Sequence, residues 1–404
     1  MGQGILLWLL TLVGAYFLID RLTVKFRFLE RRFLVILFFY HSALAVVYYF
    51  YALSNPSDSI AYYKKVVINY RGPDWLSFYG TGTTFVEFVG YPLIKFMGLT
   101  YESVMVLFSF LGFVGFIYFL VLFKEWIKLK HRVFSIELLT LTFFLPNLHF
   151  WSSSFGKGSL IFFGLGLFFF AIGKPAERII SLLLGAYVVY MIRPHIFFVV
   201  LVAIVIGYIF STKGISAVYR LVTLIFAGIV LFYIYDDILK FTGLEDDSIF
   251  DPDFSERAIK LTRATSGIDI ANYNLAEKLF AFWFRPLFFD AFGVLAYVVS
   301  VENLLYLLIF AYLLQPKAVR YLFRANSITK ACYLTFFGAS VALAQISGNL
   351  GLAMRQKSQV MILMLFVILK FLDEQKIGEL RAQMRRKARQ KRGMESSSKR
   401  LEPS

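Results

Sequence analysis

One acidic residue stands where an apolar block gives way to a polar segment. Asp58 lies in PSDSIAYY, a few residues after the second apolar block. A carboxylate placed there could take a proton from a hydroxyl group, a general-base role that typically accelerates a reaction about 10²–10⁴-fold. Ser57 could cap a helix beginning at this point, and Asp58 would serve equally well as that cap. Asp58 is therefore a candidate for either of two roles, the N-cap of a helix or a general base.

Four cations belong to different predicted spans and stand at one predicted depth near an outer boundary, three at the ends of their spans and Arg355 inside the last one. They are Lys157 in SSSFGKGS, Arg193 in IRPH, Arg285 in FRPLFFD and Arg355 in NLGLAMRQKSQ. A charged group at membrane depth costs free energy unless it is paired with an opposite charge or hydrated. Four cations together at this depth would form a binding site for an anion at the lipid surface. Each has an alternative explanation, because a cation at a helix end commonly extends to phospholipid headgroups.

Four further residues are candidates for substrate contacts. Tyr62 and Tyr63 would lie on the helix that starts in PSDSIAYY and could stack on sugar rings, although an interfacial aromatic belt explains them equally well. His195 follows the IRP sequence closely and could contact the same anion, or its position could be incidental. Glu302 interrupts the apolar run 287–314, where a carboxylate must be neutral, paired or beside water, in either a structural or a substrate role.

The sequence contains no metal or nucleotide motif. The single cysteine, Cys332, lies in an apolar block, and the four histidines lack ligand spacing. A P-loop, a dinucleotide fingerprint and an HExxH motif are all absent. Asp58 alone provides too few ligands to hold a divalent ion tightly. We therefore predict no cofactor, and assistance by a divalent metal ion stays an open alternative that no motif supports.

Composition places these residues in a membrane protein. The apolar share is 59% and the charged share 17%, against about 45–50% and about 25% in ordinary globular chains. The apolar residues form long blocks, and about 20 helical residues cross a bilayer core. We predict an all-α polytopic integral membrane protein with roughly eleven transmembrane helices, since the blocks are too long for barrel strands. The predicted spans are 4–19, 33–53, 101–123, 135–151, 157–173, 178–193, 195–210, 217–239, 286–314, 328–346 and 350–372.

A single transmembrane domain is predicted over 1–372, followed by a basic tail at 373–404. Two segments between spans, about 54–100 and 240–285, are too long to be simple connectors. We expect each to contain an amphipathic interfacial helix, at 85–98 in the first segment and within NYNLAEKLFAFWFRPLFFD in the second. The tail is expected to be either a basic helix on anionic lipid or a solvated end.

The distribution of Lys and Arg predicts the orientation. The net charge is +16, and most of the 42 Lys and Arg residues fall in alternate loops and in the tail. Loops rich in these residues face the cytoplasm, so the N-terminus is expected outside, the C-terminus inside, and both long segments on the outer face. This bias accounts for the net charge without a nucleic-acid partner, and the tail lacks the interleaved aromatics of a base-stacking surface.

The pattern resembles bacterial polytopic membrane glycosyltransferases of the GT-C type and the O-antigen or capsular polysaccharide polymerases. GT-C enzymes carry a functional acidic residue in the first large outer loop, and Asp58 matches that position. The polymerases use outward-facing arginines, which Arg193, Arg285 and Arg355 match. The likeness covers the topology of nearly the whole chain, whereas its motifs are short. The paired acidic motif of many GT-C enzymes and the large soluble C-terminal domain of some members are missing, which leaves the subfamily open.

The resemblance implies transfer of sugar from a polyprenyl-phosphate-linked donor at the extracytoplasmic face of the bacterial inner membrane, in cell-surface polysaccharide biosynthesis. It implies Asp58 as the base and Arg285 and Arg355 as the main phosphate ligands, helped by Lys157 and Arg193. The implied partners are the polyprenyl-linked saccharide, the lipid bilayer and other polysaccharide-assembly proteins. A transporter or flippase of lipid-linked oligosaccharide is the first alternative, and a non-catalytic membrane scaffold is the second.

Overall fold

The computed structural model describes residues 2–133, 135–210, 216–242, 273–291, 293–347 and 349–399. This part of the chain is almost entirely helical. Its helices are α1 (Gly2–Lys25), α2 (Arg31–Ser54), α3 (Asp58–Val67), α4 (Thr83–Tyr91), α5 (Tyr101–Trp126), α6 (Leu138–Phe143), α7 (Pro146–Ser152), α8 (Lys157–Ile172), α9 (Ile179–Ile192), α10 (Pro194–Ile209), α11 (Ala217–Thr242), α12 (Leu275–Phe284), α13 (Gly293–Phe310), α14 (Pro316–Arg324), α15 (Ser327–Ile346), α16 (Leu350–Lys357) and α17 (Met361–Lys399). A short hairpin pairs β1 (Arg132–Val133) with β2 (Ile136–Glu137) in antiparallel register.

Five helices are long and apolar enough to cross a membrane, judged by length and composition. They are α1, α2, α5, α13 with its 3₁₀ extension to Leu314, and α15. Three shorter apolar helices, α8, α9 and α10, have 14 to 16 residues each. A straight helix of that length covers only about 21–24 Å at 1.5 Å per residue, less than a bilayer core. The helical fold class is therefore confirmed, and the count of about eleven spans is not.

Three predicted spans differ from the structure because the chain breaks inside them. The block 135–151 divides into α6 and α7, since Leu145 is extended and Pro146 opens a new helix. The block 286–314 becomes helical only at Gly293. The block 350–372 divides into the short α16 and the start of α17. Apolar composition indicated that these blocks contain helices, but it did not reveal where each helix begins and ends.

The helix α5 lies at the centre and packs against α1, α2 and α8. From there α8 packs on α9, α10 on α15, and α15 on α17. Glycines permit the closest approaches: a Cβ atom on Gly166 would lie 2.7 Å from the Gly115 carbonyl oxygen, and one on Gly185 would lie 2.7 Å from the Phe168 amide nitrogen. Such close backbone contact is typical of helices that pack within a membrane, where small residues bring the helix axes together.

The first long segment, 54–100, is folded. It contains α3, a 3₁₀ turn at Leu76–Phe78, α4 and a π-helical turn at Pro92–Phe96, so the helix expected at 85–98 is present as α4 and the turn after it. In the second segment, residues 243–272 lie outside the described part of the chain. The helix α12 follows them, with a capping box between Asn274 and Glu277. The basic tail continues α17 as a single helix to Lys399.

Candidate functional site

The start of α3 positions Asp58. Ser57 is the N-cap of this helix, and its hydroxyl oxygen accepts a hydrogen bond from the Ser59 amide at 3.3 Å. The same hydroxyl lies 3.3 Å from the Tyr48 hydroxyl, which fastens α3 to the end of α2. Because Ser57 supplies the cap, the Asp58 side chain is left for another interaction. This geometry resolves the question of which residue caps the helix, and it leaves a catalytic role for Asp58 untested.

Asp58 forms an ion pair with Arg355 of α16, in which the guanidinium Nη1 donates to the carboxylate Oδ2. The Asp58 side chain is 54% exposed and that of Arg355 is 19% exposed. Burial acts to raise the pKa of Asp58, but the charge and hydrogen bond of Arg355, with contributions from Lys157 and Lys65, lower it below its ordinary value of 3.8. Asp58 is therefore a carboxylate at neutral pH.

Arg355 is held from two further sides. Tyr62, one turn along α3 from Asp58, lies close to the Arg355 guanidinium and to Thr83 at the start of α4. The Arg355 guanidinium carbon lies 5.9 Å from the centre of the Trp151 ring on α7. A cation at this distance from an indole is attracted to the ring face. Contacts from α3 and α7 thus fix the direction of a side chain that could otherwise extend to headgroups.

Lys157 begins α8 and lies close enough to Asp58, Glu87, Arg193 and Arg355 to interact with each electrostatically. It makes no hydrogen bond or ion pair within the described ranges. Gly82, from the GTGTT turn, packs beside it: a Cβ atom on Gly82 would lie 3.7 Å from the Lys157 Nζ. The ammonium group is therefore positioned by its surroundings without being neutralised by a direct partner.

Arg193 occupies the break between α9 and α10. Its backbone is non-helical, and Pro194 begins the next helix, so the arginine projects from the corner between the two. The residue is 8% exposed, and its Nε atom is buried with no hydrogen-bond partner. It lies near Arg355 and Tyr62. His195 in the first turn of α10 is also 8% exposed and lies near Arg193.

These side chains form one group, which we call the cationic cluster: Asp58, Tyr62, Lys157, Arg193, His195 and Arg355. It contains three cations and one carboxylate, drawn from α3, α8, the α9–α10 corner and α16. Like charges brought together at low exposure repel each other, and a buried guanidinium nitrogen without a partner carries an added desolvation cost. A bound anion would relieve both costs. The cluster therefore has the chemistry of a site for an anionic group such as a phosphate.

Two predicted site residues are engaged elsewhere. The Arg285 side chain forms an ion pair with Asp290 and donates a hydrogen bond to the Tyr273 hydroxyl at 3.1 Å. The Tyr63 hydroxyl donates to the Leu99 carbonyl oxygen at 3.1 Å, so that it fastens the loop before α5. Within the described part of the chain, neither side chain forms a hydrogen bond or an ion pair with the cationic cluster.

Glu302 belongs to a different buried network. Its carboxylate is 2% exposed and accepts hydrogen bonds from the Asn147 amide at 2.8 Å and from the Tyr306 hydroxyl. Lys357 lies near it and donates to the Asn303 side-chain oxygen at 2.6 Å and the Arg285 carbonyl oxygen at 3.0 Å. These partners satisfy the buried charges locally. The network joins α7, α13 and α16, the helix that also carries Arg355.

Sequence reasoning did not assign three residues that the structure places beside the cluster. Trp151 lies under Arg355, Thr83 lies close to Tyr62, and Gly82 lies beside Lys157. The GTGTT sequence gave a turn signal, and Gly82 adopts φ +72°, which only glycine takes readily. Across the ranges that the structure describes, no group of three or more His, Cys, Asp and Glu residues could hold a metal ion.

Comparison of the chain with protein families, with characterised proteins and with solved structures found no match. A functional assignment therefore rests on the geometry and charge of the cluster.

Proposed function

We propose that this chain is a membrane glycosyltransferase or polysaccharide polymerase that uses a polyprenyl-phosphate-linked sugar donor. In this proposal the cationic cluster binds the phosphate of the carrier, and Asp58 activates the acceptor hydroxyl. The observation that carries the proposal is the meeting of Lys157, Arg193 and Arg355 from three distant parts of the chain, with Asp58 paired to Arg355.

The chemistry of glycosyl transfer requires both kinds of group. The acceptor hydroxyl attacks the anomeric carbon, a new C–O bond forms, and the bond from that carbon to the phosphate oxygen breaks. The hydroxyl proton passes to the Asp58 carboxylate, and the electron pair of the broken bond leaves with the carrier phosphate. Fixed cations that face the departing phosphate stabilise its growing negative charge without reorganisation.

The ion pair between Asp58 and Arg355 also gives the site an order of events. In the structure the carboxylate is occupied by the guanidinium. A phosphate that binds Arg355 would compete with Asp58 for the same donor, because both are anionic oxygen acceptors. The carrier phosphate would thereby free the base at the moment when the donor is in place.

A lipid-linked donor fits the surroundings of the cluster better than a soluble one. The helix α9, which leads to Arg193, presents apolar side chains outward, such as Leu183 at 61% and Tyr187 at 44% exposure. Exposed apolar faces on long helices are covered by lipid in a membrane protein. A headgroup phosphate could then enter the cluster while its chain stays in the apolar layer, on the side we propose is extracytoplasmic.

The Glu302 network bears on the transporter alternative. A transport path would need polar groups facing a passage through the bilayer. Glu302 and Lys357 are instead enclosed by protein hydrogen bonds at 2% and 0% exposure. This burial favours an enzyme with one polar site over a transporter that uses Glu302.

The test is the length distribution of cell-surface polysaccharide, measured by gel, in cells that carry Asp58→Asn or Arg355→Ala at normal protein levels. Loss of long chains with accumulation of single lipid-linked units would support a polymerase. Complete loss of one sugar would support a single-sugar transferase. An unchanged profile in both variants would overturn the proposal. Asp20→Asn serves as the control, because the Asp20 side chain is also 54% exposed and paired with an arginine, Arg31.

A further inference from the structure

Two buried histidines face each other inside the helical bundle, apart from the cationic cluster. His41 of α2 and His149 of α7 are 1% and 0% exposed. Their Nδ1 atoms lie 2.9 Å apart, which is hydrogen-bond distance. On the far side of each ring, the His41 Nε2 lies 3.0 Å from the Ser109 carbonyl oxygen and the His149 Nε2 lies 2.8 Å from the Phe143 carbonyl oxygen.

These three contacts can be satisfied only with three protons. A carbonyl oxygen brings no proton, so each Nε2 must carry one in order to donate. The contact between the two Nδ1 atoms needs a third proton, because two bare ring nitrogens would only repel. Two neutral imidazoles carry two protons between them, so any neutral arrangement leaves two acceptors facing each other in the dry interior. An unsatisfied buried polar contact of this kind is costly.

The surroundings of the pair suit a positive charge. The Phe116 ring stacks on His149 with centroids 3.9 Å apart and planes within 5°, so the electron-rich ring face lies against the imidazole. The two carbonyl oxygens direct the negative ends of their dipoles at the outer nitrogens.

Few titratable groups face the pair. Tyr40 of α2 packs edge-on against His149 and donates its proton to the Phe144 carbonyl oxygen at 3.0 Å. His41 also lines an apolar groove of about 490 Å³ between α1, α2 and α5, where Glu102 is the carboxylate among the lining residues. Glu302 lies near enough to Tyr40 to interact with it. On α5, Ser109 and the aromatic and small side chains beside the pair are uncharged, and Glu102 lies about two turns nearer the start of that helix.

We propose that His41 and His149 together form a binding site for one excess proton, held between their two Nδ1 atoms. The pair then carries a single positive charge and ties α2 and α5 to α7. This matters for the cluster because α7 also carries Trp151, which lies under Arg355. The proton site stands on its own contacts, and it does not depend on the proposed glycosyl transfer.

The direct test is ¹⁵N nuclear magnetic resonance of the full chain in lipid bilayers at pH 7, with labelled histidine. The chain has four histidines, so His131→Gln with His195→Gln leaves the pair as the only labelled site. We expect both Nε2 atoms protonated and a third proton coupled to both Nδ1 atoms. Two neutral rings, each with one bare nitrogen, would overturn the proposal. If the double variant does not fold, the wild-type spectrum answers the same question by the presence or absence of an N–H···N coupling.

A second measurement uses thermal stability in nanodiscs as a function of pH, relative to the variant with His41→Gln and His149→Gln. The histidines of an unfolded chain have a pKa of about 6.5. Below that pH the two histidines of the unfolded chain bind more than one excess proton, and above it they bind less than one, whereas the folded pair holds one throughout. The contribution of the pair to stability is therefore greatest at about pH 6.5. Above this value the unfolding constant relative to the variant rises about tenfold per pH unit, until the pair releases its proton. A contribution that stays level above pH 6.5 would show a neutral pair.

Discussion

Replacing Asp58 with asparagine should separate two properties that most active-site substitutions lower together. The change removes the negative charge that occupies Arg355 and keeps the size of the side chain. If Asp58 competes with the carrier phosphate, its loss leaves the guanidinium free for the ligand. We expect Asp58→Asn to bind a short-chain polyprenyl phosphate more tightly than the wild type and to transfer sugar more slowly.

The size of both effects follows from exposure and chemistry. Exposed ion pairs contribute about 0.2–1 kcal/mol, and breaking a buried one costs about 3–5 kcal/mol. With Asp58 half exposed and Arg355 mostly buried, solvent screening places this pair at about 1–2 kcal/mol. Because every 1.4 kcal/mol is about a factor of ten, phosphate affinity should rise about 5- to 30-fold. Loss of the base should lower transfer about 10²–10⁴-fold.

The assay pairs the two readouts on one preparation. Binding of polyprenyl phosphate is measured by calorimetry on the purified chain in nanodiscs, and sugar transfer is measured in the same nanodiscs. Arg355→Gln should weaken binding, and Asp20→Asn should change neither quantity. If Asp58→Asn weakens phosphate binding as much as Arg355→Gln does, Asp58 does not compete with the ligand and the reasoning is refuted.

Three further predictions concern the groups around the cluster. Gly82→Val should crowd Lys157 and lower phosphate affinity. The control is Gly98→Val, which has a similar φ of +63° but open space around it and should therefore lower thermal stability alone. Equal phosphate affinities in the two variants would contradict the contact between residue 82 and Lys157. Because Asp58 has a lowered pKa, its stabilising charge is fully present above about pH 4 and is lost as the pH falls below its ordinary value of 3.8. The difference in thermal stability between wild type and Asp58→Asn should therefore shrink on acidification, and a difference that grows at low pH would oppose this sign. Glu302→Gln should cost about 1–3 kcal/mol of stability through its buried partners and leave phosphate affinity unchanged; a loss of affinity without a loss of stability would instead place Glu302 in a ligand site.

Local features of the fold were predictable because short stretches of sequence carry them. The helical class follows from long apolar blocks, and the helix that begins after Ser57 follows from a cap residue at its start. The break at Pro146 was also present in the sequence as a helix-breaking residue. We nevertheless predicted a continuous span there, because apolar composition outweighed the proline in our reading.

The site was predictable in part. The sequence indicated that Asp58, Lys157, Arg193 and Arg355 lie near one outer boundary, and the structure brings these four together. It gave the same signal for Arg285, whose charge is paired instead with Asp290, five residues away. The sequence of an Arg-Pro step at a helix start does not show whether the arginine will form its ion pair with a residue nearby in the chain or with a residue on a distant element.

The sequence by itself therefore determined the helical class and which cations stand near the boundaries of apolar blocks, since these depend on residues within a few turns of each other. Tertiary structure alone decided that Arg355 meets Asp58 across 297 positions of the chain, that His41 meets His149 across 108, and that Glu302 is enclosed rather than open. The physical reason is that these outcomes depend on how helices are placed around α5. That placement is set by close contacts such as Gly166 on Gly115, which no local pattern in the sequence specifies.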